Sequence, residues 1–576
     1  MRTVRNLRRW LFLGLLLFGC AGCGRESTSL SDTSRQTHSS EEISGRQKLT
    51  VQGDALLRSL VTMSRLADLD SPNFTAYQNE VKNFYDSLND KFAWVGHGKP
   101  TPQAHAIIRF LENAQDQGLR PDEYDGSRWD QRVAHIEQSQ EVSDADLVRF
   151  DLALTVAVMR YVSDLYNGRV NPRLFHFNLD VDQRKVDLAD FLREKLVDSR
   201  EIDRALETLE PPFPIYRRTK AALKTYFELA KRDDGGLLPV TARAVKPGDS
   251  YAGVPRLTRF LSLVGDFPNE DSGNEGVYQG AIVDGVKHFQ QRHGLEPNGL
   301  IDAATRNELN TPLSLRIMQL RLTMERLRWL PREFDRPPIV VNIPEFRLHV
   351  DDEQYHWVLS MKVVVGRAYR RQTPVFASEI RSVIFRPYWD VPASILRAEL
   401  IPDLEKDPLY LVRNSYEIVD ESGRVVGESP VSEEMEQQLQ AGALRVRQKP
   451  GPENALGLVE FDIPSRYDIY LHGTPATQLF SMSRRDFSHG CIRVEAPAAL
   501  AEWVLRSNPE WTEQGIRDAM NGDDTVEVKL QKPIPVLILY STAVVMEDGE
   551  VHFFDDIYGH DAVLARALAR GYPYSR

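Results

Sequence analysis

Cysteine is almost missing from this chain. Three occur in 576 residues, and two of them, Cys20 and Cys23, fall within the first two dozen, so Cys491 stands alone in the remainder. A lone thiol excludes an internal disulfide framework there. Beyond Cys23 no paired-Cys zinc spacing remains, and a His-Glu-x-x-His string is lacking, so we expect neither a metal nor a cofactor. Excess positive charge is lacking too. Lys and Arg number 71 against 83 Asp and Glu, a net charge of -12, and with no broad basic face nucleic acid is not an expected partner. The apolar run Trp10 to Phe18 is too short to span a bilayer comfortably.

What is there begins with an export pattern. Arg2, Arg5, Arg8 and Arg9 precede the apolar run, and small residues surround the two early cysteines. Leu17-Phe18-Gly19-Cys20 and Cys20-Ala21-Gly22-Cys23 each resemble a bacterial lipobox, in which a lipidated Cys becomes the mature N-terminus. An ordinary cleaved signal is the alternative. We expect a signal peptide over 1–22 and a membrane partner through an N-terminal lipid anchor. Residues 23–52, rich in Ser, Thr, Gln and Glu, are expected as a flexible linker, because they offer little apolar surface to bury.

The length demands several cores. Residues 53–250 read as mainly helical. Leu152, Val156, Met159, Val162 and Leu165 recur at helical spacing, and Gly168 with Pro172 ends the run. Phe92 and Trp94 read as core aromatics. A second unit spans 255–312: Ile282, Val286 and Phe289 share a helical face, Gly294 is a candidate C-cap, and Asp302 a candidate cap for a last helix carrying Leu309. Its string Val286-Lys287-His288-Phe289-Gln290-Gln291-Arg292-His293-Gly294-Leu295, with Asn298-Gly299 and Thr305, resembles the three-helix peptidoglycan-binding domain family. From about 336 the pattern turns to β. Ile339 to Val350, Trp357 to Val365, Thr525 to Leu530 and Val536 to Val545 read as strands, Tyr467, Ile469 and Leu471 alternate toward His472, and Asp548-Gly549 marks a hairpin. Residues 395–455 are charged and mixed, and read as an insertion that acts as a lid.

Two short stretches suit a cysteine nucleophile: Tyr470-Leu471-His472-Gly473-Thr474-Pro475 and Ser488-His489-Gly490-Cys491-Ile492-Arg493. The thiolate is the reactive form of a thiol, so Cys491 needs a base or a cation nearby. His472 at a strand end is a candidate base, with His489 as the alternative. Arg493 and His489 flank the thiol and are expected to lower its pKa. Gly490 permits a tight turn. The Gly490 and Cys491 amides and the Tyr470 hydroxyl are candidate oxyanion donors. Arg484 and Arg485 read either as carboxylate-recognising groups or as a solvated loop.

With Cys491 nineteen positions after His472, these residues resemble the L,D-transpeptidase catalytic domain family. Val363-Val364-Val365-Gly366-Arg367, Thr373-Pro374-Val375-Phe376, Pro387-Tyr388-Trp389-Asp390-Val391-Pro392 and Gly451-Pro452-Glu453-Asn454-Ala455-Leu456-Gly457 extend the resemblance to its long periplasmic subgroup. That subgroup implies an α+β multidomain protein: a helical scaffold domain, a small three-helix peptidoglycan-binding domain, and a mainly-β catalytic domain over 336–576. By resemblance, Cys491 is the nucleophile and His472 the base, oriented by the Gly473 carbonyl. Tyr470 and Gly490 serve the oxyanion, while Arg493, His489 and Ser488 lie on the substrate side. The subgroup often has Asp where Gly473 stands. The implied substrate is the peptidoglycan stem peptide, met in the periplasm of a Gram-negative bacterium. The implied reaction is 3→3 crosslinking through a cysteine thioester. L,D-carboxypeptidase activity, attachment of a lipoprotein, and a non-catalytic wall-binding scaffold are the alternatives.

Overall fold

The computed structural model describes residues 45–574 apart from 176, 180–185, 269–275 and 429. The signal and lipobox expectations at 1–23 lie outside the described residues. The linker expectation needs correcting at its end. Gln47 N–H donates to the Val95 carbonyl at 3.0 Å and Leu49 N–H to Asp90 at 2.8 Å. The helix Val51–Met63 starts directly after, with the Thr50 hydroxyl accepting from Gly53 N–H. A polar stretch is thus held by backbone pairing that its composition does not reveal. Among the described residues no helix is long and apolar enough to cross a membrane.

The N-terminal part is helical and is built on one central helix, Asp144–Asn167. It opens with a capping box between Ser143 and Asp146 and stops at Gly168. Leu152, Val156, Met159, Val162 and Leu165 are buried along it, as their spacing requires. Phe92 and Trp94 pack in the same core. Asp151, fully buried on this helix, accepts from Trp94 N–H at 2.7 Å and from the Tyr85 hydroxyl at 2.7 Å. Just past the helix, Arg169 and Glu325 form a buried pair at 3.2 Å, which ties this part to the helix Leu313–Leu327.

Three helices follow in the second unit: Val254–Val264, Ala281–Arg292 and Ala303–Leu309. Ile282, Val286 and Phe289 are buried on one face, and Asp302 caps the last helix through Thr305 N–H at 2.8 Å. The middle helix ends at His293, with Gly294 beyond it at φ 66°. This unit shares its core with the β region: His293 stacks on both Phe289 and Phe553.

The β region is a nine-stranded sheet. Its order is Asp486–Ser488, Trp357–Gly366, Ile492–Val494, Leu471–His472, Val459–Asp462, Phe376–Phe385, Val526–Leu539, Ile339–Asn342, Arg347–Asp351. The last strand pairs back with Trp357–Gly366 and closes the sheet on itself. The two strands expected near 525 and 536 are partly one. Val526–Leu539 runs through, with a register shift between Lys529 and Ile534, and Ala543–Val545 is separate. The hairpin at Asp548-Gly549 joins Ala543–Val545 to Val551–Phe553. The expected strand toward His472 is shorter than its alternation suggests. Asp468 adopts φ 51°, which breaks the extended backbone and leaves Leu471–His472 as the strand.

Residues 395–455 fold as a subdomain. A four-stranded sheet sets Trp389–Asp390 beside Arg445–Gln448, then Tyr416–Val419 and Val425–Gly427. A small core of its own includes Ile395, Leu400, Leu411, Ile418, Leu439 and Val446.

Candidate active site

Strand register explains how the two motifs meet. Leu471–His472 lies parallel to Ile492–Val494, with Leu471 opposite Ile492 and His472 opposite Arg493. Ile492 N–H donates to the Tyr470 carbonyl at 3.1 Å. Cys491 stands two positions before Arg493, so His472 and Cys491 are offset by two residues in register across neighbouring segments of the sheet, a rigid support for side-chain geometry.

Each group is held. His472 is buried, and its Nδ1 sits 2.6 Å from the Gly473 carbonyl. A carbonyl only accepts, so Nδ1 carries the proton and Nε2 is left as the basic nitrogen. Gly490 has φ 130°, a backbone that disfavours any side chain. Thr373 fixes that turn: its hydroxyl accepts from Gly366 N–H at 2.8 Å and donates to the Gly490 carbonyl at 2.7 Å. Ser488 Oγ donates to the Cys491 carbonyl at 2.6 Å and accepts from Gly490 N–H at 3.1 Å. Ser488 is thus engaged with the loop that carries Cys491. The Gly490 amide is free for an oxyanion only if its bond to Ser488 opens. Cys491 Sγ donates to the Asp468 carbonyl at 3.6 Å.

The electrostatics correct one expectation. Burial pushes the Cys491 thiol up to about 11, against help for the thiolate from the Tyr470 backbone and Arg493. Desolvation outweighs the nearby positive charge. Burial, reinforced by Arg493, also lowers His472 to about 3. Thiol and imidazole, both lining the same cleft, therefore rest neutral. His489 is engaged with a carboxylate. Its Nε2 lies 2.7 Å from Glu399, and the same carboxylate oxygen accepts from Arg371 at 2.9 Å.

A cleft of about 1080 Å³ opens over these groups. One wall carries Tyr470, His472, Gly490, Cys491 and Arg493, and the facing subdomain contributes Trp389, Glu399 and Tyr416 among others. Arg493 Nε is buried without a hydrogen-bond partner, a donor suited to a carboxylate. The solvated-loop reading holds for Arg484, which is exposed, and fails for Arg485. Arg484 pairs with Asp486 at 2.7 Å, and Arg485 is buried, donating to the Val363 and Phe346 carbonyls at 3.2 and 3.0 Å. Sequence reasoning missed Glu399, Asp468 and Thr373 as site residues; of these only Thr373 stood in a motif already noticed. Among the described residues no group of His, Cys, Asp and Glu is arranged to hold a metal.

Comparison with known proteins agrees with this geometry. Residues 336–528 match the family model described as "L,D-transpeptidase catalytic domain". Residues 79–223 match a "Scaffold domain" and 250–309 a "Putative peptidoglycan binding domain". A Haemophilus influenzae protein named "Putative L,D-transpeptidase" is 35% identical over 247 residues, 42% of this chain and 48% of that protein. The match thus spans about half the length of that relative.

Proposed function

We propose that this chain, whose residues 336–528 belong to the L,D-transpeptidase catalytic domain family, is a peptidoglycan L,D-transpeptidase that forms 3→3 crosslinks through a Cys491 thioester. The observation that carries the reading is the imidazole of His472, fixed by the Gly473 carbonyl in the cleft that also holds Cys491. Because both groups rest neutral, the thiol proton passes to His472 Nε2 as sulfur attacks the carbonyl of the third residue of a tetrapeptide stem. An oxyanion forms, with the Cys491 amide and the Tyr470 hydroxyl as its donors. The peptide bond breaks, His472 returns the proton to the departing D-alanine amine, and a thioester remains. An amine from a neighbouring stem then attacks, His472 takes its proton, and thiol and imidazole are regenerated as the new amide forms.

The buried, unpartnered Arg493 Nε suits a stem carboxylate, and the peptidoglycan-binding-like unit suits the polymer itself. The chain then acts in the periplasm, anchored through a lipid on Cys20 or Cys23. Carbapenems, as strained acyl donors, should acylate the same thiol. Incubating the protein with disaccharide-tetrapeptide and weighing the products tests the reading. Crosslinked dimer with release of D-alanine is expected, and recovery of unchanged substrate overturns it.

A further inference from the structure

His472 lacks what most catalytic imidazoles have, a carboxylate on Nδ1, since that nitrogen is taken by the Gly473 carbonyl. Strand register places a carboxylate beside it by another route. Glu527, Ile384, Glu460, His472, Arg493 and Val364 form one cross-strand row. Glu460 and His472 are direct antiparallel partners, so their side chains leave the same face about 5 Å apart at Cβ. The imidazole is therefore flanked by Arg493 on one side and Glu460 on the other. The cleft walls include His472 and Arg493 but not Glu460.

We propose that Glu460 is the positioning residue for His472: its carboxylate, one strand away, stabilises the imidazolium created when Cys491 gives up its proton. The inference rests on the acyl-transfer reading above. In the step concerned the Sγ–H bond breaks, the proton bonds to Nε2, Nδ1 keeps its own proton on Gly473, and Glu460 exchanges nothing. Its negative charge opposes the thiolate as well, since Glu460 also acts on Cys491. Imidazole is its immediate strand partner, however, so the balance favours moving the proton.

Burial raises Glu460 to about 7, with Asp462 adding to the effect, so the carboxylate charge appears as pH rises through neutrality. Acylation should rise across the same window, because His472 at about 3 and Cys491 at about 11 titrate outside it. The other charged or titratable groups around Glu460 are Asp462 on its own strand, Tyr470, Asp468, Cys491 and Arg493 about the cleft, Arg381 on Phe376–Phe385, and Glu527 and Lys529 on Val526–Leu539. Asp462 is itself raised by burial, so Asp462→Asn is the control.

Two rates on the full-length protein test this. Cys491 acylation by disaccharide-tetrapeptide is followed by intact mass, and alkylation by iodoacetamide is followed in parallel, each from pH 5 to about 9, a range set by the reference ionisations. Glu460→Gln should lower acylation about tenfold at the alkaline end and flatten its rise. Alkylation should hold or quicken, because a charge opposing the thiolate is gone. Glu460→Asp should keep the rise, and so should Asp462→Asn. Wild-type acylation kinetics in Glu460→Gln overturn the inference, as does a parallel fall of both rates, which marks a merely structural residue. If the wild-type protein takes no tetrapeptide, the acyl-transfer reading fails. With no acyl transfer there is no imidazolium for Glu460 to stabilise, so the inference falls with that reading, whereas wild-type acylation kinetics in Glu460→Gln overturn the inference alone.

Discussion

Titrating the reactivity of Cys491 with iodoacetamide probes the neutral resting pair. Burial moves this thiol from 9.0 to about 11. At pH 7.5 the thiolate fraction then falls from roughly 3 in 100 to roughly 3 in 10,000, a loss of about a hundredfold. A more basic thiolate is also a better nucleophile, with a Brønsted slope near 0.4–0.5, which returns about eightfold. The net expectation is alkylation about tenfold slower than an unperturbed cysteine at pH 7.5. The rate should still be climbing at pH 9, without a plateau, since the inflection lies near 11. Arg493→Leu should slow it further, because that guanidinium favours the thiolate. A plateau reached below pH 7, the mark of a preformed thiolate–imidazolium pair, would refute the reasoning.

Glu399→Gln should loosen the contact between the subdomain and the nucleophile loop, since this carboxylate joins Arg371 at 2.9 Å to His489 at 2.7 Å. Alkylation of Cys491 should persist while the ratio of hydrolysis to crosslinking, read from product masses, rises as water reaches the thioester. Gly457→Ala should act on His472 from behind. Gly457 has φ 66°, and a Cβ there would come within 2.6 Å of Thr474 N and 2.7 Å of the Gly473 carbonyl carbon. The left-handed backbone alone costs about 1–2 kcal/mol. Thermal unfolding should register that loss, and acylation should fall with it; acylation at the wild-type rate would separate Gly473 from the orientation of His472.

Cys491 and His472 were legible in the sequence as candidates because each stands in a short local motif. Their juxtaposition was not, since it depends on the parallel register of His472 with Arg493. Amphipathic helices read well where one face is buried, as along Ala281–Arg292, because a period of 3.6 is visible in composition. Strand ends read poorly. The alternation from Tyr467 to Leu471 looked extended, yet Asp468 turns left-handed between them. The thiol pKa was misjudged because sequence shows neighbouring charges and hides desolvation. Glu399 and Glu460 escaped notice for a different reason. Glu399 meets a partner ninety positions away, and Glu460 meets His472 only through strand pairing. Arg485 looked like a surface charge because its carbonyl partners, Val363 and Phe346, lie far off in the chain.

The central claim, that Cys491 carries the acyl group, is tested most directly by trapping the intermediate. Full-length protein mixed with disaccharide-tetrapeptide and quenched in acid should gain the mass of the donor less D-alanine, and peptide mapping should place that mass on Cys491. Cys491→Ala should gain none and should form no crosslinked product. Crosslinking that persists in Cys491→Ala, or an adduct mapped to another residue, would contradict the account.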